Sequence, residues 1–143
     1  MFNPSREQVR EFFFATWRKY RAGEPLSGLE AMALDVVLAH PEYQSALETP
    51  ERTRERDYLP ESGEANPFLH LSLHLALEEQ LSVDQPRGIA ERFAALLSAR
   101  NDRHAALHDA LECLGEMVWR AQLDRAPPDG EAYLDCLARR ARD

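Results

Sequence analysis

The sequence predicts an all-α protein, a helical bundle of five to seven helices packed as a single domain over residues 1–143. Apolar residues recur three and four positions apart along most of the chain, which is the period of an amphipathic helix. No stretch alternates convincingly between apolar and polar residues, as a half-buried strand would. Capping residues and prolines divide the chain into segments of helical length, and these segments define the individual helices.

Ser5 is expected to begin the first helix, because Gln8 three residues later completes a capping box. An aromatic and apolar stripe follows, and Gly23 is placed to end the helix. Phe14 falls on the opposite side of that stripe, among arginines. It is expected either to meet another helix or to mark a subunit contact, so a homodimer through the first helix is a candidate assembly.

Ser27 and Glu30 form a second capping box, and the helix that they begin is expected to run to His40. Pro41 disfavours helical geometry in the residue before it and suits the first turn of a short following helix. Residues 49–65 lack an apolar period and are rich in charge, proline and glycine, which predicts one long loop. We interpret this loop as a surface connection; the alternative is a lid over a site.

The second half of the chain predicts four more helices. Asn66 caps a long helix over residues 67–83, and a shorter helix covers residues 88–98. Asp102 caps the longest helix, which continues over residues 103–123. Two prolines end it, and an aspartate caps the final amphipathic helix.

The composition is that of an ordinary soluble protein. The 143 residues are 44% hydrophobic and 29% charged, which is enough to bury a core. The net charge of −8 argues against nucleic acid or an anionic membrane as the main partner. The opening residues 1–7 do not resemble a signal peptide, and no apolar run is long enough to span a bilayer. We therefore expect a cytoplasmic protein.

The two cysteines, Cys113 and Cys136, are too few for a disulfide framework. Both stand beside leucines in predicted helices, where a free cysteine usually behaves as a small hydrophobic residue. The sequence therefore predicts two free, buried cysteines.

Four of the five histidines form two pairs, His70 with His74 and His104 with His108. Residues four apart on a helix face the same way, so each pair can aim two imidazoles at one point. Both pairs lie in helices that otherwise look core-forming. This pattern is typical of a metal site in the core of a helical bundle.

Carboxylates continue both pairs at the same spacing. Glu78 follows His74 by four residues, and Glu112 and Glu116 follow His108 by four and eight. Imidazole and carboxylate ligands without a thiolate suit zinc, iron, manganese or nickel. The predicted metal ligands are His70, His74, His104, His108, Glu112 and Glu116. Glu78 is an alternative to Glu116 as an outer partner or general base.

The helical positions of these histidines differ. His74 falls near the middle of an apolar arc, where an unpaired polar group would cost about 1–3 kcal/mol. His104 and His108 fall on one flank of their helix beside Gly115, which we expect to permit the close approach of a neighbouring helix. His40 is either a further ligand or, as we favour, a helix-terminal histidine stabilised by the helix dipole.

Known catalytic motifs are absent from the sequence. Leu71 follows His70, so there is no His-Glu-x-x-His motif, and no Glu-x-x-His pair occurs either. The chain also lacks a glycine-rich phosphate loop, a dinucleotide fingerprint and a nucleophile elbow, so we expect no nucleotide cofactor and assign no catalytic residue. Two hypotheses stay open: a metal-binding bundle, or a metal-free interaction module with a structural polar core. Whether the protein is an enzyme is also open.

Several segments resemble one known family. Residues 66–76 read Asn-Pro-Phe-Leu-His-Leu-Ser-Leu-His-Leu-Ala, residues 40–43 read His-Pro-Glu-Tyr, and residues 112–116 read Glu-Cys-Leu-Gly-Glu. Together with the opening residues 1–6, these segments resemble the bacterial family called domain of unknown function 1841. The resemblance covers nearly the whole chain. It implies a compact bacterial protein and brings no established activity with it.

Overall fold

The computed structural model describes residues 5–59, 63 and 65–143. Within that part of the chain there are eight α-helices, one short 3₁₀ helix and no strand, so the all-α prediction is confirmed. Residues 1–4 of the predicted opening segment and positions 60–62 and 64 of the predicted loop lie outside the described residues. The helices are α1 (Arg6–Ala22), α2 (Gly28–Leu38), α3 (Gln44–Glu48), α4 (Pro50–Thr53), α5 (Pro67–Val83), α6 (Ile89–Arg100), α7 (Arg103–Asp124) and α8 (Gly130–Arg142), with the 3₁₀ helix at Pro41–Tyr43.

The helices group into two compact units, Met1–Leu75 and Ala76–Asp143. Helix α5 begins in the first unit and ends in the second. A single domain over residues 1–143 stays a prediction. None of the helices in the described ranges combines the length and the apolar character that a bilayer crossing requires.

Capping residues begin α1 and α2, and end α1, where the sequence predicts. Ser5 and Gln8 exchange side-chain and backbone hydrogen bonds at the start of α1, and Gly23 ends this helix with a left-handed φ of 72°. The same reciprocal capping box begins α2. The described residues form eight α-helices instead of five to seven, because the stretch after the 3₁₀ helix forms two short ones, α3 and α4.

The core of the first unit contains aromatic residues from α1. Phe14 is 5% exposed and lies edge-on to the ring of Phe68 in α5, with 5.5 Å between the ring centroids. Of the two expectations for Phe14, contact with another helix is therefore the one that the structure shows. The buried apolar cluster consists of Phe13, Phe14, Trp17, Ala33, Val36, Val37, Leu47, Phe68, Leu71 and Leu75.

Arg10 anchors the described part of the predicted loop. This arginine is 2% exposed, and its Nη1 atom donates to the carbonyl oxygens of Thr53, Arg54 and Arg56 at 2.8, 3.1 and 2.8 Å. Its guanidinium also lies 4.6 Å from the ring centroid of Phe68. Burial lowers the pKa of Arg10. The segment around residues 53–56 is thus a connection tied to α1, which agrees with the favoured interpretation of this loop.

Helices α6, α7 and α8 form the second unit. A disulfide between Cys113 and Cys136 joins α7 to α8, so the prediction of two free cysteines is wrong. Packing of these two helices brings the Cα atoms to 5.8 Å, within the range that a disulfide requires. Nearby, the buried Tyr133 hydroxyl donates to Oε1 of Gln80 at 2.8 Å, and burial raises its pKa.

Candidate metal centre

Helix α5 holds its two histidines on the side that faces the core. Asn66 begins the helix by accepting hydrogen bonds from two backbone amides of the first turn. Leu71 and Leu75 are 0% and 3% exposed, and they fix the buried face. His74 is 2% exposed, as its position in the apolar arc predicts, and His70 is half-buried.

The imidazoles of His70 and His74 face each other. Their Nε2 atoms lie 3.1 Å apart, and their ring centroids lie 4.7 Å apart. At this separation, either one Nε2 donates a proton to the other or both atoms bind the same cation. The predicted helical spacing therefore brings two nitrogen ligands to one point.

His40 adds a third ring from another element. It follows α2 and precedes Pro41, which keeps it out of helical geometry, with φ and ψ of −129° and 69°. The chain bends here, and His40 becomes 1% exposed. Its ring centroid lies 5.0 Å from that of His70 and 4.4 Å from that of His74. These three residues are called the histidine cluster below.

The orientation of His40 assigns its two ring nitrogens. Nδ1 lies 2.8 Å from the carbonyl oxygen of Val36. Because a carbonyl oxygen can only accept, Nδ1 carries the proton and donates it. In the neutral ring Nε2 is then the nitrogen with an acceptor lone pair. One ligand nitrogen from each ring of the histidine cluster can be chosen so that all lie within 4.8 Å of one another.

Tyr43 forms an aromatic wall beside the histidine cluster. Its ring is stacked on that of His40, with an interplanar angle of 14° and 5.8 Å between the centroids. It also lies edge-on to His70 at 5.5 Å. Burial, and to a smaller degree the charge of Glu42, raise the pKa of Tyr43. The phenol therefore stays neutral at physiological pH and can act as a hydrogen-bonding group.

The second histidine pair lies in α7 and has a different environment. The ring centroids of His104 and His108 are 4.1 Å apart, so the helical spacing again makes the rings neighbours. His104 is exposed in the first turn of the helix, where its backbone amide donates to Asp102 at 3.1 Å. His108, one turn further along, is half-buried.

The three candidate carboxylates all form ion pairs with arginines of the second unit. The side chains of Glu112 and Glu116 are 62% and 53% exposed, whereas that of Glu78 is 20% exposed. An arginine partner satisfies a carboxylate without a metal ion. The pairs are Glu78 with Arg103, Glu112 with Arg140 and Glu116 with Arg120.

Two expectations from the sequence need correction. Among the described residues, no atom lies within 4 Å of the point that a Cβ at Gly115 would occupy, apart from its own helix and neighbours, so the expected close approach is wrong. His40 was expected to be a helix-terminal histidine stabilised by the dipole, yet it lies beyond α2 with a buried ring against two others. The dipeptide His40-Pro41 was the sequence signal for this position of His40, because proline disfavours helical geometry in the residue before it.

The structure therefore defines an all-α protein made of two helical units, with a buried histidine cluster in the first. The sequence profile of the family described as Domain of unknown function (DUF1841) matches residues 5–139, and the chain belongs to this family. This match confirms the resemblance seen in the sequence. No curated protein and no solved structure gives a significant match to the chain.

Proposed function

We propose that the protein binds one divalent transition-metal ion through His40, His70 and His74 of the first unit. The observation that carries this proposal is the convergence of three imidazole rings from two separate elements of the first unit. Two of them are at most 2% exposed. Buried imidazoles that share one point are a common way to bind a metal, because neutral nitrogen lone pairs are good ligands.

The spacing within α5 is compatible with one ion bound by both rings. Two ligands that bind a tetrahedral zinc ion at about 2.0–2.1 Å are about 3.3 Å apart. The observed Nε2 separation of 3.1 Å between His70 and His74 is close to this value. Binding therefore requires only small rotations of these two side chains, together with loss of any proton between the two nitrogens.

His40 is oriented as metal-binding histidines usually are. Such residues commonly donate their second ring N–H to a backbone carbonyl or a carboxylate, which fixes the ring and increases the basicity of the ligand nitrogen. The hydrogen bond from Nδ1 of His40 to the carbonyl of Val36 has this form. It leaves Nε2 as the ligand atom.

The proposed ligand set differs from the set that the sequence suggested. His70 and His74 are retained and His40 is added, whereas His104 and His108 of the second unit are not included. Glu112 and Glu116 are left out, because each is an exposed carboxylate already paired with an arginine. A site made of imidazoles favours zinc, iron, nickel or copper over manganese, since manganese prefers oxygen ligands. Zinc and iron thus stay in the proposal, and manganese becomes the weakest candidate.

The metal-free hypothesis also has an observation in its favour. A hydrogen bond between Nε2 of His70 and Nε2 of His74 would satisfy both buried nitrogens without an ion. The cluster would then fix the packing of α5 against the chain that follows α2. The metal-binding and metal-free hypotheses predict different outcomes of a metal-binding experiment, so such an experiment can separate them.

The first test is elemental analysis of the purified, untagged protein, before and after dialysis with zinc, iron or manganese. We expect about one zinc ion per chain, with His74→Ala lowering the zinc affinity and His104→Ala leaving it unchanged. His104→Ala is the matched control, because this residue has the same side chain but is exposed in α7.

No retained metal under any condition would overturn the proposal in favour of the metal-free core. Metal that stays bound in His74→Ala would also overturn it. Circular dichroism of each variant verifies that the helices are still formed.

The origin, the partners and the cellular location of the protein are also proposals. A bacterial origin follows the family resemblance, and the net charge of −8 argues against a nucleic-acid partner. A homodimer through α1 no longer has Phe14 to support it, because that ring packs inside the first unit. The Cys113–Cys136 disulfide bears on the expected cytoplasmic location, because disulfides in that compartment are usually transient.

A further inference from the structure

Two clefts of the second unit are lined by cysteines of its disulfide. A cleft of about 550 Å³ is lined by both Cys113 and Cys136. A second cleft, of about 360 Å³, is lined by Cys136 but not by Cys113. Cys136 is 7% exposed and Cys113 is 1% exposed. A small molecule in the second cleft would therefore contact Cys136 and not Cys113.

The lining of the second cleft indicates which sulfur of the disulfide an incoming thiolate would attack. A thiolate attacks a disulfide sulfur from the side opposite to the sulfur that leaves. The second cleft borders Cys136 without bordering Cys113, which is the approach that makes Cys113 the leaving group. The buried Cys113 would be the poorer target, since the attacking thiol must reach the sulfur.

Arginines outnumber carboxylates among the residues that line the second cleft. Arg139, Arg140 and Arg142 line it together with the carboxylates of Glu116 and Asp143. Arg140 is already paired with Asp109 and Glu112, and Glu116 is paired with Arg120. Arginines attract anions, so these side chains favour a negatively charged thiol in this cleft.

We propose that Cys113–Cys136 is a thiol-exchange site that takes an anionic low-molecular-weight thiol, such as a cysteine-containing peptide with free carboxylates. The thiolate attacks Sγ of Cys136, the bond between Cys136 and Cys113 breaks, and a mixed disulfide forms at Cys136. Cys113 leaves as a thiolate and takes a proton from water. A second thiol then attacks the mixed disulfide, so two external thiols supply the two electrons that reduce the bond.

This exchange site does not depend on the proposed metal centre. Its chemistry uses only α7, α8 and the added thiol. It also gives the disulfide a role in a reducing compartment, where such bonds are usually transient or redox-sensing.

The test follows the oxidised protein after addition of glutathione, with acid quenching and peptide mass spectrometry to locate the adduct. We expect a glutathione adduct on Cys136 and alkylatable thiol on Cys113. Arg139→Gln should slow the reaction with glutathione about two- to fivefold, as loss of an exposed charge interaction would. The same variant should react with neutral 2-mercaptoethanol at the unchanged rate. Arg87→Gln is the matched control, because Arg87 is exposed and lines neither cleft.

An adduct that forms mainly on Cys113 would overturn the assignment. A disulfide that resists both thiols until urea unfolds the chain would also overturn it, and the bond would then be a structural staple. The position of the adduct in the unmutated protein decides the question even if an arginine variant fails to fold.

Discussion

The two histidine pairs share one sequence pattern but differ in their surroundings. In α5, His74 is 2% exposed, and its Nε2 atom lies 3.1 Å from that of His70. In α7, His104 is exposed, although its ring centroid lies only 4.1 Å from that of His108. A spacing of four residues therefore guarantees that two rings are neighbours on a helix. It does not decide whether the helix face that carries them is buried.

The position of each pair along its helix explains this difference. His70 and His74 share their helix with Leu71 and Leu75, which pack into the core of the first unit. His104 lies in the first turn of α7, two residues after the exposed capping residue Asp102. The start of a helix is often solvent-exposed, because its backbone amides need partners that intrahelical bonds do not supply.

The sharpest way to test this comparison is to remove the third ring of the cluster. His40→Ala should lower the zinc affinity at least about 100-fold, because removal of a ligand costs more than the 10–100-fold typical of an outer partner. His104→Ala should change it less than about twofold. Isothermal titration calorimetry with a competing chelator measures both affinities. An unchanged affinity in His40→Ala would make the two pairs equivalent and remove the basis of the comparison.

The two helices that carry the pairs also differ in how they are held. Helix α7 is joined to α8 by a disulfide that closes a loop with a sequence separation of 23 residues. Loop-closure entropy predicts that opening this bond lowers the free energy of unfolding by about 3 kcal/mol. Urea denaturation of the oxidised protein and of the Cys113→Ser/Cys136→Ser variant measures the difference. Equal midpoints for the two proteins would contradict this prediction.

A stability measurement on the metal-free protein separates buried from exposed histidines. In His40→Ala the buried carbonyl of Val36 loses its hydrogen-bond donor, which should cost about 1–3 kcal/mol. His104→Ala should stay within about 0.5 kcal/mol of the parent, since an exposed side chain is removed. Urea unfolding in the presence of a chelator gives both values. A comparable loss in both variants would show that burial of His40 contributes no stability.

The smallest expected effect concerns the flank of α7 near the second pair. A Cβ at Gly115 would meet no atom of the described residues within 4 Å outside its own helix, so Gly115→Ala adds helix propensity without a clash. The free energy of unfolding should rise by about 0.5–1 kcal/mol. A thermal melt followed by circular dichroism measures it. A decrease instead would mean that another group packs closely against this flank.

Much of the fold was predictable because its determinants are local. The reciprocal hydrogen bonds of Ser5 and Gln8, the left-handed Gly23 and the capping Asn66 act within one helical turn. The short helix α4 was missed, because four residues in a charged segment carry no measurable apolar period. The disulfide was missed as well, since two cysteines in different helices contain no information about their distance.

The histidine cluster likewise has one part that was predictable from local sequence and one part that was not. The pairing of His70 with His74 was predictable from helical spacing alone. Its third member was not, because His40 is 30 residues from His70 in the chain and approaches it only through the bend at Pro41. Helical spacing placed Glu112 and Glu116 in the predicted site. In the folded chain each of them forms an ion pair with an arginine instead.

The sequence by itself determined the helices of this protein, their caps and the faces on which the histidines lie, because hydrogen bonds and periodicity within a helix are local. Tertiary structure alone decided that His40 joins His70 and His74, that His104 is exposed, and that two cysteines form a bond. Those outcomes depend on distances between elements far apart in the chain. Such distances are set by the packing of whole helix faces and not by any residue's neighbours in sequence.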